Sequence, residues 1–196
     1  MINKTSVEKF YDQFAHKYDD AINDSKSNVQ YLNEAVKIFH KYNYSQGTIL
    51  DIACGTGLLS ELLQGDFEYT GIDISSKMLE YALKRGYKTI HQSLETAIEN
   101  IDNNSYDFIF CLSALLFIEN PHQAIKNMRR IARKSVLITI DEITEQYVKD
   151  LPIAGYNHSQ ISIEDTIEDY FIIAWTARNL DISIKTRMVY IRPLDK

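Results

Sequence analysis

The sequence predicts an α/β fold, a mainly parallel sheet with helices on both faces. Two observations carry this. Beyond about residue 45, short apolar segments alternate with segments of helical period. Several of the short segments, such as "VLITI" at 136–140, are continuously apolar, as strands covered on both faces are. That alternation builds right-handed βαβ units.

The N-terminal third reads as helix. Thr5 and Glu8 have capping-box spacing, and Val7, Phe10, Tyr11, Phe14 and Tyr18 follow at helical intervals. A second box, Ser27 with Gln30, opens a helix whose apolar face is Leu32, Ala35, Val36 and Phe39. A strand at 48–52 then enters a glycine turn, with a helix from about Leu58. A strand at 68–73 leads to a helix at about 76–85, stopped by Gly86, and to a short strand at 87–91. "YDFIFCL", 106–112, reads as a buried strand. Asn120 and Pro121 suit the N-cap and first residue of a helix carrying Ile125, Met128 and Ala132 on one face. The segment 141–163 is irregular, with a strand expected within 153–158. Ile167, Tyr170, Phe171, Ala174 and Trp175 share one side of a helix expected at 164–179. "ISIKTRMVYI", 182–191, closes the chain as a strand, in a place that suits an antiparallel one.

Composition narrows the function classes. At 196 residues, 45% hydrophobic and 24% charged, the chain suits one soluble domain. No apolar run nears the roughly 18–20 residues of a membrane span, and the N-terminus lacks a signal-peptide core. Cys54 and Cys111 are too few for a disulfide framework, so the cytoplasm is the expected compartment. No Cys/His cluster calls for a metal. A net charge of −6 argues against general nucleic-acid affinity. The basic run "RRIARK", 129–134, reads as a helix C-terminus with dipole-favoured cations.

The chemistry centres on "ILDIACGTGLLS", 49–60. Gly55-x-Gly57 follows a strand, as in a dinucleotide fingerprint, but Ser60 stands where the third glycine would be. Asp51, four residues before Gly55, would repel a pyrophosphate and favour a cation. Asp73, 18 residues after Gly55, ends the second strand, where an acid accepts hydrogen bonds from ribose hydroxyls. The turn therefore wants a ribose, little phosphate and a positive charge. S-adenosylmethionine has all three properties.

"LDIACGTGLLS" resembles the first motif of the class I S-adenosylmethionine-dependent methyltransferases, and "YTGIDISSKMLEYA", 69–82, resembles their second. "HQSLE", 91–95, occupies the third, and "YDFIFCLSALLFIENP", 106–121, is similar to their fourth strand and following loop. "FYDQFAHKYDD", 10–20, is similar to the N-terminal helix of the subgroup that includes ubiquinone and menaquinone biosynthesis enzymes. The resemblance implies a Rossmann-like seven-stranded sheet of order 3-2-1-4-5-7-6 with strand 7 antiparallel. It divides one domain into a helical lid, 1–45, and a cofactor-binding core, 46–196.

Carried onto these positions, the resemblance places Asp51, Ala53, Gly55 and Gly57 beside the methionyl moiety and Asp73 on the ribose. Ile74 and Met78 pack on one adenine face and Leu94 on the other. Cys111 offers its backbone carbonyl to the ammonium. Tyr11 and Tyr18 close the pocket, although their amphipathic face equally suits plain packing. Two departures stand out. Ser93 replaces the acid that often meets the adenine amino group, and Leu116-Phe117 replaces histidines often found after strand four. "DPPY" and "NPPY" are absent, which argues against nucleic-acid amino methylation.

The implied reaction passes a methyl group from S-adenosylmethionine to a small-molecule acceptor and leaves S-adenosylhomocysteine. Asp141 and Glu142 follow strand five, and His158 lies in the irregular segment with Tyr147 and Tyr156, so Asp141 and His158 are the candidate bases. Two rivals remain at this level: a non-catalytic cofactor-binding module, and an NAD-type oxidoreductase disfavoured by Asp51 and the missing glycine. Oligomeric state is not written in the sequence.

Overall fold

The computed structural model describes residues 3–24, 26–143, 153, 155–164, 166–176 and 183–194. Seven strands form one sheet: β1 (Gln46–Ile52), β2 (Asp66–Asp73), β3 (Lys88–His91), β4 (Tyr106–Cys111), β5 (Ala132–Asp141), β6 (Thr166–Thr176) and β7 (Ser183–Ile191). Their order is β3-β2-β1-β4-β5-β7-β6. Strands β1 to β5 run parallel, and β7 is antiparallel to both β5 and β6. The expected topology is the observed one.

Among the described residues six α-helices accompany the sheet: α1 (Lys4–Asn23), α2 (Lys26–His40), α3 (Leu59–Leu62), α4 (Ser76–Lys84), α5 (Leu94–Asn100) and α6 (Pro121–Ile131). Strand side chains alternate between the two faces, so the core is split in two. On one face Leu50, Ile52, Ile109, Val136 and Ile138 meet Ile98 of α5 and Ile125 and Met128 of α6. On the other, Ile49, Phe108, Phe110 and Leu137 meet Tyr31, Ala35 and Phe39 of α2. Phe39 is the hub of that second layer, with ring centroids 4.9 Å from Phe108 and 5.2 Å from Phe110. The first 45 residues thus hold two different helices. The α2 helix belongs to the sheet's own covering layer, while α1 lies outside it and buries only Val7 and Ala15.

Several boundaries move for identifiable reasons. Helix α1 starts at Lys4, because Asn3 rather than Thr5 is the N-cap; its side chain accepts from the Thr5 N–H at 3.1 Å. Helix α2 begins at Lys26, which puts Ser27 inside it. The helix expected from Leu58 is a single turn. Asn120 and Pro121 cap α6 as the sequence reads. Of the basic run, Arg129 and Arg130 lie in the last turn of α6, but Arg133 and Lys134 are on β5. Arg130 donates to the Ile98 and Ile101 carbonyls, and Arg133 to Asp107 and the Asn104 carbonyl. These cations fasten loops at the amino end of the sheet.

Two expectations are corrected. Residues 166–176 form β6, not a helix, paired with β7 from Thr166↔Ile191 to Thr176↔Ser183. The run from Tyr170 to Trp175 is continuously apolar, so it satisfies a helical period and a buried strand alike. Its β-branched and aromatic content favours the pleated form once β7 offers a ladder. No strand occurs among the described residues of 153–158. There the Tyr156 N–H donates to the Leu116 carbonyl at 2.6 Å, tying the segment to the loop after β4.

Candidate active site

The sheet's carboxyl edge opens into a concave cleft walled by α1, the turn after β1, the end of β2 and the segment after β4. Its floor is the turn after β1 and the end of β2. Gly55 and Gly57 have φ of +55° and +80°, values that L side chains adopt only with strain. At Gly57 a Cβ would also stand 2.9 Å from the Tyr87 ring. The turn is closed by Cys54 N–H to the Ile72 carbonyl (3.0 Å) and Gly57 N–H to the Cys54 carbonyl (2.9 Å).

Asp73 joins the two binding turns. Its Oδ2 accepts from the Gly55 N–H at 2.9 Å and its Oδ1 from the Ser75 N–H at 2.8 Å. Burial raises its pKa, and these backbone donors oppose the rise. A carboxylate offers about four lone-pair directions, so some accepting capacity remains beyond the backbone donors, and Asp73 lines the cleft. Ser75 in turn N-caps α4, accepting from Met78 N–H at 3.1 Å.

Beyond Asp73 the cleft is an apolar slot between Ile72, Ile74, Met78 and Leu94, with Ser93 and Glu95 at its far end. Ala53 and Gly55 border the near end together with Leu112 and Ser113. The roof is helix α1. Tyr18 stands over the glycine turn, its ring 3.6 Å from where a Gly55 Cβ would lie. Tyr11 meets Phe117 edge to face, with centroids 6.2 Å apart. Burial and the nearby Asp73, Asp19 and Asp51 hold the Tyr18 phenol well above its ordinary pKa, so it stays protonated.

Three of the sequence-predicted residues are not on the cleft wall. Asp51 lies behind the turn, buried, and accepts the Tyr87 hydroxyl at 2.9 Å. Burial pushes its pKa up to about 7, which Tyr87 moderates and Asp73 augments. Gly57 packs on Tyr87, and Cys111 is wholly within the core. The Cys111 thiol is raised by burial and is no nucleophile.

The candidate bases separate. Asp141 ends β5, buried, with Thr186 donating to Oδ1 at 2.6 Å and no partner for Oδ2. Burial pushes its pKa up to about 6, with Thr186 opposing. A hydroxyl cluster lies near it, close enough that burial and then Asp141 raise the Tyr31 pKa, but is not hydrogen-bonded to it. Ser113 Oγ donates to Tyr31 Oη at 3.0 Å, Tyr31 bonds Thr139 Oγ1 at 2.9 Å, and Ser113 N–H donates to that same Oγ1 at 2.7 Å. Ser113 itself has φ +53°, a strained conformation for a non-glycine residue. His158 is outside the cleft lining; its Nε2 donates to the Ile118 carbonyl at 2.7 Å, and its ring stacks on Tyr156. Tyr147 lies outside the described residues, and Glu142 is not on the cleft wall.

Sequence reasoning missed Lys4, Val7, Glu95, Leu112, Ser113 and Phe117 on the wall. The acid sought at Ser93 is present two residues on, as Glu95, within the very stretch that fills the third motif. Lys4 stands seven residues before Tyr11, as Tyr11 does before Tyr18, and Val7 stands four before Tyr11, spacings that share one helical face.

Residues 50–140 match the family model described as a methyltransferase domain. The ubiquinone biosynthesis O-methyltransferase of Rickettsia typhi is 28% identical over 171 residues, spanning 79% of this chain and 68% of that one. The malonyl-[acyl-carrier protein] O-methyltransferase of Priestia megaterium is 30% identical over 133 residues, spanning 65% of this chain and 47% of that one. In fold, magnesium protoporphyrin IX methyltransferase from Synechocystis superposes with a TM-score of 0.66 at 16% identity, covering 96% of this chain and 100% of that one.

Proposed function

For a chain that belongs to the class I S-adenosylmethionine-dependent methyltransferases, we propose O-methylation of a small hydroxyl-bearing acceptor. The cofactor is S-adenosylmethionine. The observation that carries the assignment of its site is Asp73, a buried carboxylate held by backbone N–H groups on the cleft wall. The donor set fits the ligand: a ribose acceptor, an apolar slot for a purine, and anionic surroundings without a basic phosphate cradle.

In this reading Asp73 accepts the two ribose hydroxyls. Ile74 and Met78 cover one adenine face and Leu94 the other, with Ser93 and Glu95 at the amino edge. Ala53, Gly55, Leu112 and Ser113 border the methionyl end. When bound, S-adenosylmethionine supplies an electrophilic methyl carbon on a sulfonium leaving group. Tyr11 and Tyr18 cover the site and exclude water, and alignment in such a site contributes roughly 7–11 kcal/mol. Asp51 and Asp73 lower the potential around a cationic ligand. Ser113 meets the acceptor hydroxyl, and of the two candidate bases we favour Asp141, which ends β5 near the Ser113–Tyr31–Thr139 cluster and would need a bridging group to reach the acceptor proton. His158 is second, since Ile118 already holds its Nε2 proton.

The O-directed choice rests on the two relatives, both O-methyltransferases by name. A cytoplasmic location is part of the proposal and rests on two buried free thiols, Cys54 and Cys111. Among the described residues no helix is long and apolar enough to cross a membrane.

A thermal-shift comparison of S-adenosylmethionine, S-adenosylhomocysteine and NAD tests the site. Ligand at about 100 times its dissociation constant stabilises by roughly 2.7 kcal/mol, a shift of the order of 5–10 °C. We expect it with the two adenosyl sulfur ligands alone. A shift with NAD alone would refute the assignment. Labelled-methyl transfer to a panel of phenols and carboxylic acids, against matched amines and thiols, then tests the O-directed choice; labelled amines alone would overturn it.

A further inference from the structure

Helix α1 roofs the cleft with only Val7 and Ala15 of its 20 residues fully buried. Polar ties add to the ring contacts of Tyr11 and Tyr18 that seat it. Asp12 Oδ1 accepts from Ser75 Oγ at 2.7 Å and from the Lys77 N–H at 3.1 Å, at the positive end of α4. Asp19 Oδ1 accepts from Thr56 Oγ1 at 2.6 Å, and its Oδ2 pairs with Arg85 at 2.8 Å. Arg85 is fixed in turn by Glu61 at 2.6 Å and the Thr56 carbonyl at 3.0 Å. A third tie, Lys4 to Glu95 at 3.1 Å, is more exposed, with Lys4 51% accessible.

The two carboxylates land on the two turns that form the floor. Ser75 is the residue whose N–H holds Asp73, and Thr56 lies between Gly55 and Gly57. Both hydroxyl residues are fully buried. The sequence repeats the device: Tyr11-Asp12 and Tyr18-Asp19 are seven residues apart, about 10.5 Å along a helix and on one face. Each pair sends a ring into the cleft and a carboxylate onto its rim.

We propose that Asp12 and Asp19 are positioning residues that clamp α1 onto the glycine turn and the Asp73 turn, and so set how fast the adenosyl ligand leaves. The proposal rests on the cofactor reading above. A ligand beneath Tyr11 and Tyr18 exits when α1 lifts, and lifting breaks both clamps while stripping Ser75 and Thr56 of their partners. Because the clamps attach to the ligand-holding turns, ordering those turns with ligand also seats the roof.

The test is the dissociation rate of S-adenosylhomocysteine, by stopped flow, from wild type, Asp12→Ala, Asp19→Ala and the double variant. Alanine preserves helix propensity, so α1 itself stays helical. Each single variant is expected to release ligand about tenfold faster, and the double about a hundredfold, at one charged hydrogen-bond set per clamp. Asp19→Glu should restore release to near the wild-type rate. Raising salt should speed release from wild type more than from Asp19→Ala. Because the clamps also form without ligand, the ligand-free melting temperature should fall by a few °C per clamp, and release is therefore compared well below it, where a merely structural role would leave the rate unchanged. Hydrogen exchange over residues 4–23 should slow when S-adenosylhomocysteine binds. Wild-type release rates in both alanine variants, or ligand-independent exchange in α1, would overturn the clamp alone. Failure of wild type to bind S-adenosylhomocysteine would overturn the cofactor reading and the clamp together.

Discussion

The floor and the roof of the cleft are built by different means. The floor is fixed by backbone groups: Asp73 is held by the N–H groups of Gly55 and Ser75, and Cys54 N–H by the Ile72 carbonyl, all at strand ends of one sheet. The roof is a helix held mainly by side chains, with two buried apolar residues of its own. Backbone bonds inside a packed sheet open only with the domain, whereas side-chain ties at a rim open locally. The floor is therefore preformed and supplies affinity. The roof moves and supplies exclusion of water and control of release. A catalytic cleft needs both, because a site rigid on all sides admits nothing.

The strongest way to break this distinction is at Asp73. Asp73→Ala removes the acceptor for two ribose hydroxyls and leaves the Gly55 and Ser75 N–H groups unpaired. Two charge-assisted bonds come to about 4 kcal/mol, so affinity for S-adenosylhomocysteine, measured by calorimetry, should fall about a thousandfold. Asp73→Asn should fall between, since an amide nitrogen cannot accept from the N–H beside it. A loss at Asp73 no larger than at Asp12 or Asp19 would mean that floor and roof are not different in kind.

What the sequence disclosed follows the same divide. The glycine turn, Asp73 and Met78 were legible because they sit within a few residues of a strand end, where chain geometry dictates position. Tyr11 and Tyr18 were legible as a face, since helical spacing carries over two turns. Spacing tells which residue ends a strand but not which way its side chain leaves it. Hence Asp51 turned out to face Tyr87, behind the turn, and Leu112 and Ser113 line the cleft where Cys111 was expected. The β6 segment failed for another reason. An unbroken apolar run carries no period, and only its long-range ladder with β7 decides between helix and strand. Asp12 and Asp19 were visible as letters, but their partners lie 63 and 37 residues away.

A third wall, at the end of β5, sharpens the comparison with a pH test. Asp141 holds its proton up to about pH 6 when folded, against an ordinary 3.8. Between those values the folded chain binds more protons than the unfolded chain, so stability falls as pH rises, and the cost is complete above about pH 6. The shift corresponds to about 3 kcal/mol. Asp51, raised to about 7 by burial, contributes in the same direction. Asp141→Asn should remove its share, so the variant loses less stability than wild type between pH 4.5 and 7 in urea titrations. Parallel pH profiles would show that the fold does not raise the Asp141 pKa, and the support this gives its role as base would go with that.

The smallest effect is expected at Ser113, where the acceptor wall carries strain. Its φ of +53° costs a non-glycine residue about 1 kcal/mol, and its hydroxyl returns about as much through Tyr31. Ser113→Gly relieves the first and forfeits the second, while glycine's freer unfolded chain takes back a further ~0.5–1 kcal/mol. The melting temperature should move by no more than about 3 °C. Ser113→Ala forfeits the bond and keeps the strain. The two variants therefore separate the contributions: stability near equal, or glycine ahead, means the strain is felt, and alanine clearly ahead means it is not. In both, S-adenosylhomocysteine affinity should match wild type while KM for the methyl acceptor rises several-fold. That split is what distinguishes a wall that meets the acceptor from a floor that holds the cofactor. A loss of cofactor affinity at Ser113 would merge the two walls into one.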